Sequence, residues 1–220
     1  MFNKYFYILS KKASRKNLYQ FIYKSLKKNL KKNHKILNIG AGGEIEEYLK
    51  EFSNNIYSID IDKRRKPNQV LNICDNKFKK KLNYKPSIVF CFEVLEHTEN
   101  PIKAVENIFA VLKKGEKVLV SVPFNFHIHD EPFDYFRFTQ YGLKLLFKKF
   151  SKIEIKKRNG WLESIFVNFI RLEKEKNQFS KLLGRFFIIL YFFLYPIIVI
   201  IQKIFTSDKL TTGYFVEATK

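Results

Sequence analysis

Lys35-Ile36-Leu37-Asn38-Ile39-Gly40-Ala41-Gly42-Gly43-Glu44 is the stretch on which the fold turns. A compact apolar run ends at Ile39, glycines follow at once, and Glu44 opens a helical pattern that continues to Glu51. Glycines at a strand-to-helix junction remove the Cβ atoms that would keep a nucleotide-like ligand away from the backbone. About twenty residues on, the strand Ile56 to Ile61 places Asp60 at the carboxyl edge of a sheet, where its carboxylate can accept hydrogen bonds from both ribose hydroxyls. The turn alone is a moderate sign, and the turn with an acid at this spacing is a strong one.

Outward from that unit the chain alternates strand and helix. After Lys35 to Ile39 and the helix Glu44 to Glu51 come a strand at Ile56 to Ile61 and a short strand at Gln69 to Cys74. A strand at Ser87 to Phe92, a helix at Pro101 to Leu112 and a strand at Glu116 to Val122 follow. Such alternation predicts a mostly parallel sheet covered by helices. Thr139 to Phe150 then reads as a helix with Leu143, Leu146, Phe147 and Phe150 on one face. Ile153 to Lys157 and Gly213 to Thr219 complete seven strands, the last two as natural partners. The expected fold is α/β, a Rossmann-like seven-stranded mostly parallel sheet with helices on both faces and a hydrophobic helical insertion before the last strand.

The 220 residues suit one core with appended structure, and 46% hydrophobic residues suffice to build it. A formal charge of +20 fits a membrane surface, nucleic acid or an anionic substrate, and equally the base composition of a genome. Cys74 and Cys91 lie in apolar strand-like segments without metal or framework spacing, so both are expected to be buried free thiols in a reducing compartment. Lys4 interrupts the apolar start and no small-residue cleavage site follows, which argues against a signal peptide and for a cytosolic catalytic face. Three parts are expected: a basic amphipathic helical region over 1–34, a nucleotide-type domain over 35–160 plus 208–220, and a hydrophobic insertion over 161–207.

The run Phe90-Cys91-Phe92-Glu93-Val94-Leu95-Glu96-His97 stands at the end of the fourth strand, before Asn100-Pro101 and the helix closed by Lys113-Lys114-Gly115. With the glycine turn and Asp60 it resembles the class I S-adenosylmethionine (SAM) dependent methyltransferases, in particular the broad type 11 group, over roughly Lys35 to Phe150. NAD-dependent enzymes use a similar turn but not the run from Phe90 to His97. The resemblance implies SAM as cofactor, with Asn38, Gly40, Ala41 and Gly42 in the binding turn, Asp60 on the ribose, Asp75 near the adenine amino group, and Glu93 beside them. Asp75 is also open to a reading as a helix N-cap. Asn38 stands where the family usually has Asp or Glu, and Glu44 where a third glycine is common.

Glu93, Glu96 and His97 form Glu-x-x-Glu-His at the rim where ligands sit in open α/β sheets. They could share a divalent cation such as Mg, with His129 as fourth ligand, or place a base beside the acceptor, and Glu96 could instead cap the next helix. Two similar methyltransferase groups, acting in the ubiquinone pathway and on small RNA, hold a metal with this string. After the fifth strand, the segment from His129 to Thr139 resembles the His-x-x-Pro-x-Asp-Tyr-x-Arg-x-Thr of type 11 proteins, many of them associated with cell-surface glycan synthesis. His129 is the leading base, His97 and Asp134 complete the catalytic set, and His127 is second to His129. Asp134 paired with Arg137, and Thr139 capping a helix, is the structural alternative.

Phe186 to Ile201 carries no charge for about 16 residues, short of the about 20 that a comfortable span requires. Both neighbouring strands belong to one sheet, so one crossing would leave the last strand on the wrong side, and Pro196 permits a kink. A re-entrant or in-plane hairpin on an anionic membrane surface is the expectation, against a helical pair packed on the sheet or on a dimer partner. The function expected is methyl transfer from SAM to an oxygen of a glycan or lipid-linked acceptor, by an enzyme peripheral or monotopic at the cytoplasmic face of the membrane. RNA 2′-O-methylation with a metal at Glu-x-x-Glu-His is the alternative, though no RNA-binding module accompanies it, and a non-catalytic membrane scaffold is a third.

Overall fold

A computed structural model describes residues 2–31, 33–207 and 209–220. Seven strands form one sheet: β1 (Ile36–Ile39), β2 (Ile56–Asp60), β3 (Gln69–Val70), β4 (Ile88–Phe92), β5 (Lys117–Pro123), β6 (Lys152–Lys157) and β7 (Gly213–Thr219). Their spatial order is β3-β2-β1-β4-β5-β7-β6. β1 runs parallel to β2 and β4, with Ile39 opposite Ile59 and Cys91, and β4 runs parallel to β5. All residues of β1 and β4 are buried, which is why β4 is an unbroken apolar run and β1 is apolar but for Asn38, without the alternation of a half-exposed strand. β7 runs against its neighbours: Gly115 donates to the Lys220 carbonyl at 2.8 Å and Ser151 to the Thr219 carbonyl at 2.9 Å.

This order fixes where a ligand can bind. Between β1 and β4 the connections leave in opposite directions across the sheet, and the crevice at their carboxyl ends is the natural site of an open α/β fold. Gly40 and Glu93 are the residues that follow those two ends.

The helices are α1 (Phe2–Asn29), α2 (Gly43–Lys50), α3 (Phe78–Lys81), α4 (Pro101–Val111), α5 (Gln140–Leu146), α6 (Trp161–Arg171) and α7 (Gln178–Ile204). Asn100 caps α4 by accepting from Lys103 N–H, with Pro101 in its first turn. Thr139 caps α5 through Gly142 N–H at 3.0 Å, and Leu143, Phe147 and Phe150 bury that segment's apolar face.

Four expectations need correction. β3 stops at Val70, because the Asn72 side chain accepts from Cys74 N–H at 2.8 Å and turns the chain. Cys74 is therefore only half-buried, its thiol donating to the Asn100 carbonyl at 3.4 Å, whereas Cys91 is fully enclosed. α1 begins at Phe2, whereas the helical period of Leu18, Phe21, Ile22, Leu26 and Leu30 predicts a helix only from Lys11 to Lys32. Pro196 does not fold Phe186 to Ile201 into a hairpin: it sits inside the 27 residues of α7, where the loss of one backbone bond leaves the rest of the ladder intact.

Two compact units result, one of residues 1–23, 124–128 and 157–213, the other of residues 24–123, 129–156 and 214–220. In the first, Phe6 and Ala13 of α1 share a core with Ile170 of α6 and with Ile188, Tyr191 and Ile198 of α7. Gly184 lets α7 close on the chain after α6, since a Cβ there would stand 2.2 Å from the Glu173 nitrogen. The second unit holds the sheet.

Candidate active site

At the end of β1 the backbone enters a conformation that side chains resist, with φ +91° at Gly40, +74° at Gly42 and +71° at Gly43. A Cβ on Gly40 would lie 2.6 Å from Val94 Cγ2, and one on Gly42 would lie 3.2 Å from the Arg65 carbonyl oxygen. Asp60 ties the turn to β2: one carboxylate oxygen accepts from Ala41 N–H at 2.9 Å and the other from Asp62 N–H at 2.8 Å. Arg65 approaches the same carboxylate at 3.8 Å.

The Asn38 amide is 2% exposed and donates to the Gly40 carbonyl at 3.1 Å and to a Glu46 carboxylate oxygen at 3.4 Å. That Glu46 oxygen also accepts from Gly42 N–H at 2.6 Å, while its partner oxygen pairs with Lys50 at 3.2 Å. The carboxylate absent at position 38 therefore comes from the first turns of α2. Sequence reasoning missed Glu46, and the only available signal was an acid near a helix N-terminus, which Glu44 and Glu47 carry equally. Glu44 itself faces solvent.

Asp75 serves its own turn, accepting from Lys77 N–H at 2.7 Å and pairing with Lys81. The Lys81 ammonium, then Lys77 N–H, holds its carboxyl below the ordinary range. Glu93 adopts φ +54°, a sparsely populated region for a residue with a side chain, and its carboxylate accepts from the Ser121 hydroxyl at 2.7 Å.

On the acceptor side, Glu96 lies in the 3₁₀ turn Leu95–His97 with 0% exposure, and its carbonyl accepts from Tyr135 and Phe136 N–H at 2.9 and 3.1 Å. Those bonds lay the segment after β5 against the end of β4. His97 Nδ1 lies 2.9 Å from the Phe133 carbonyl oxygen, and His129 Nδ1 lies 3.1 Å from the Asp134 carboxylate. A carbonyl and a carboxylate can only accept, so both rings carry a proton on Nδ1, and in the neutral imidazole it is Nε2 that holds the lone pair. Both Nε2 atoms face the Glu96 carboxylate, at 3.8 Å from His97 and 4.0 Å from His129. The three ligand atoms lie within 4.8 Å of one another.

Asp134 is the anchor of this arrangement. Its side chain, 1% exposed, accepts from His129 N–H at 2.9 Å and from two nitrogens of Arg137 at 2.5 and 2.6 Å. Burial alone would raise its pKa, but the Arg137 guanidinium and the His129 amide outweigh burial and bring it down to about 2. The lock is thus complete above the ordinary carboxyl range and is lost only as pH falls through about 2.

The structure brings Glu96, His97, His129 and Asp134 together, and it keeps Glu93 out of the His-Glu group, since Ser121 on the neighbouring strand takes its carboxylate. His127 belongs to the other unit, where its ring meets the Arg171 guanidinium at 3.1 Å and packs on Phe126.

A family described as a methyltransferase domain matches residues 12–160. No curated protein sequence matches the chain significantly. Among solved structures, a SAM-dependent methyltransferase from Archaeoglobus fulgidus is 16% identical with a TM-score of 0.57, the match covering 92% of this chain and 94% of that one. The phosphoethanolamine N-methyltransferase 2 of Haemonchus contortus, solved with S-adenosyl-L-methionine, is 19% identical with a TM-score of 0.55. That match covers 93% of this chain and 52% of the other, so the chain spans about half its length. A plantazolicin methyltransferase, solved with a triazolic desmethylPZN analogue and SAH, is 14% identical with a TM-score of 0.52 over 95% of this chain and 85% of that one. At these identities the structural likeness shows the fold.

Proposed function

The chain belongs to the SAM-dependent methyltransferases, and we propose that it methylates a hydroxyl oxygen of a glycan or lipid-linked acceptor held at an anionic membrane surface. The glycine turn fits the cofactor, because Gly40 and Gly42 leave backbone bare where Cβ atoms would protrude and Asp60 lies beside it. We assign Asn38, Gly40, Ala41 and Gly42 to the turn that holds SAM, Asp60 to its ribose, and Asp75 and Glu93 to the flanks. When bound, SAM supplies a methyl group already activated by its sulfonium.

What remains for the protein is to orient the acceptor and take its proton. The observation that carries the reading is the Asp134–His129 pair: the carboxylate fixes the tautomer and leaves Nε2 ready to accept. His129 Nε2 would take the hydroxyl proton as the acceptor oxygen is methylated, and Asp134 would stabilise the imidazolium so formed. His97, 5.0 Å from His129 between ring centres, presents its own Nε2 as the alternative acceptor of that proton. A hydroxyl needs such a base far more than a neutral amine, whose lone pair attacks without losing a proton first. The membrane context draws on the exposed apolar residues of α7 and on the basic surplus.

The test is incubation of labelled SAM and purified protein with separately extracted lipids, glycans and RNA. Label in a lipid or glycan pool, absent with His129→Ala, is expected. Label confined to RNA would replace this acceptor class with the 2′-hydroxyl of a nucleic acid.

The convergence of two imidazole nitrogens and one buried carboxylate favours a second reading, in which Glu96, His97 and His129 hold a divalent cation. The outer nitrogens of both rings are already bound by acceptors, as second-shell partners of metal-bound histidines usually are. Two imidazoles suit Mn, Fe or Zn better than Mg. A cation on His129 Nε2 would occupy the lone pair that the base requires, so the two readings exclude each other. Turnover and thermal unfolding unchanged by chelator dialysis and by added Mn or Zn would remove the cation.

A further inference from the structure

α7 has two faces of different character. Gly184, Ile188, Tyr191 and Ile198 are buried in the core shared with α1 and α6. On the opposite side stand Phe186, Ile189, Phe193, Ile197, Ile200 and Ile204, between 51% and 79% exposed. At 100° per residue these six fall within an arc of about 80° and form a straight apolar stripe about 27 Å long. We propose that this stripe lies in the plane of one leaflet of an anionic bilayer, so that α7 anchors the protein without crossing the membrane; the proposal rests on the membrane context above and specifies its geometry.

Charge selects the occupant. α7 contains no acidic residue, and Lys181, Arg185 and Lys203 flank its apolar run. Residues 1–23, which pack on the opposite face of α7, raise the positive charge of the unit as a whole with Lys4, Lys11, Lys12, Arg15 and Lys16 and no acid. A second copy seated on the stripe would set like charges against each other, whereas anionic headgroups complement them.

Connectivity excludes the crossing. The excursion starts and ends at one point, where Arg158 N–H donates to the Gly213 carbonyl at 2.8 Å. α6 runs antiparallel along α7: Trp161 Nε1 donates to the Phe205 carbonyl at 2.7 Å, Glu163 N–H to Gln202 at 3.0 Å, and Phe169 stacks on Phe187 at 4.3 Å. A spanning α7 would carry Glu173, Lys174, Glu175 and Lys176, at the far end of this hairpin, through the hydrocarbon. It would also take the buried Glu163, bonded to the Tyr191 hydroxyl at 3.0 Å, to membrane depth. Laying the hairpin flat buries the stripe, keeps Glu163 inside the protein and leaves Glu173 to Lys176 out of the hydrocarbon.

The full chain is tested by flotation with phosphatidylcholine vesicles and with vesicles containing phosphatidylglycerol. It is expected to float with the anionic vesicles, and Phe193→Glu with Ile197→Glu should lower the bound fraction at least tenfold while SAM affinity, by calorimetry, stays within twofold. For orientation, Lys176→Cys and Phe205→Cys, both exposed and both beyond the ends of α7, are introduced singly into Cys74→Ser protein and treated on vesicles with an impermeant maleimide. Equal labelling of both without detergent is the expected result. If one site reacts only after detergent, α7 crosses and the in-plane geometry is overturned while the membrane reading survives. If the protein does not float, both are overturned; if the glutamate pair splits a dimer without changing flotation, the stripe is a dimer seam and the in-plane geometry alone is overturned.

Discussion

At the glycine turn, neighbouring residues of one short stretch are held largely through backbone amides: Ala41 and Gly42 donate to Asp60 and Glu46, and the geometry depends on φ angles that only glycine adopts freely. At the acceptor rim, Glu96 and His97 meet His129 and Asp134 from a distant segment, and the arrangement depends on side-chain atoms, each holding the next. One half of the site is made of backbone shape, the other of titratable side chains. Damage to the first should act on cofactor affinity, and damage to the second on rate with cofactor affinity intact.

The largest effect expected is at the rim. His129→Ala removes the proposed base but touches no atom of the glycine turn, and turnover should fall by about 10²–10⁴. SAM affinity, by calorimetry, should stay within twofold. A comparable fall in SAM affinity would show that the two halves are not separable and would break the contrast. Gly40→Ala is the reciprocal case. It forces a side chain to φ +91° and against Val94, a strain on the order of 1–3 kcal/mol. SAM should bind roughly ten- to a hundredfold more weakly, with turnover at saturating SAM close to that of the parent protein. Unchanged affinity would mean that the turn is structural only.

The same contrast decides which parts of the molecule are legible in its sequence. β4 and β1 are legible because strands buried on both faces are mostly apolar, β4 without a break and β1 with only Asn38 among apolar residues, and the turn is legible because glycines at a strand end have few other reasons to be there. The rim is legible only as a set of residue types. Glu93, Glu96 and His97 look equivalent in a motif, yet Glu93 is diverted by the Ser121 hydroxyl of β5, and that proximity comes from sheet register. Register likewise hides the partner of each histidine: Phe133 contributes a backbone carbonyl, which no residue type announces. α7 is legible as apolar but not as unbroken, because whether Pro196 ends a helix depends on the packing of the turns on either side.

Glu46 gives the smallest effect and the finest test of the contrast, because with Asp60 it is one of the two side chains on which the backbone half leans. Its carboxylate accepts from Gly42 N–H at 2.6 Å and from the Asn38 amide at 3.4 Å, so Glu46→Gln replaces a charged acceptor in a buried site by a neutral one. A charge-assisted bond is stronger than a neutral one by about 1 kcal/mol, so SAM affinity should fall by roughly fivefold, with no change in turnover at saturation. Asn38→Asp alone would set two carboxylates against each other and should also weaken binding. Combined with Glu46→Gln, it puts a single carboxylate back in the pocket, now on β1, and affinity should recover toward that of the parent protein. Recovery would show that the turn requires one buried negative charge and tolerates either source. If the double variant binds no better than the worse single one, Glu46 acts through its position on α2, and the turn depends on side-chain placement as strictly as the rim does.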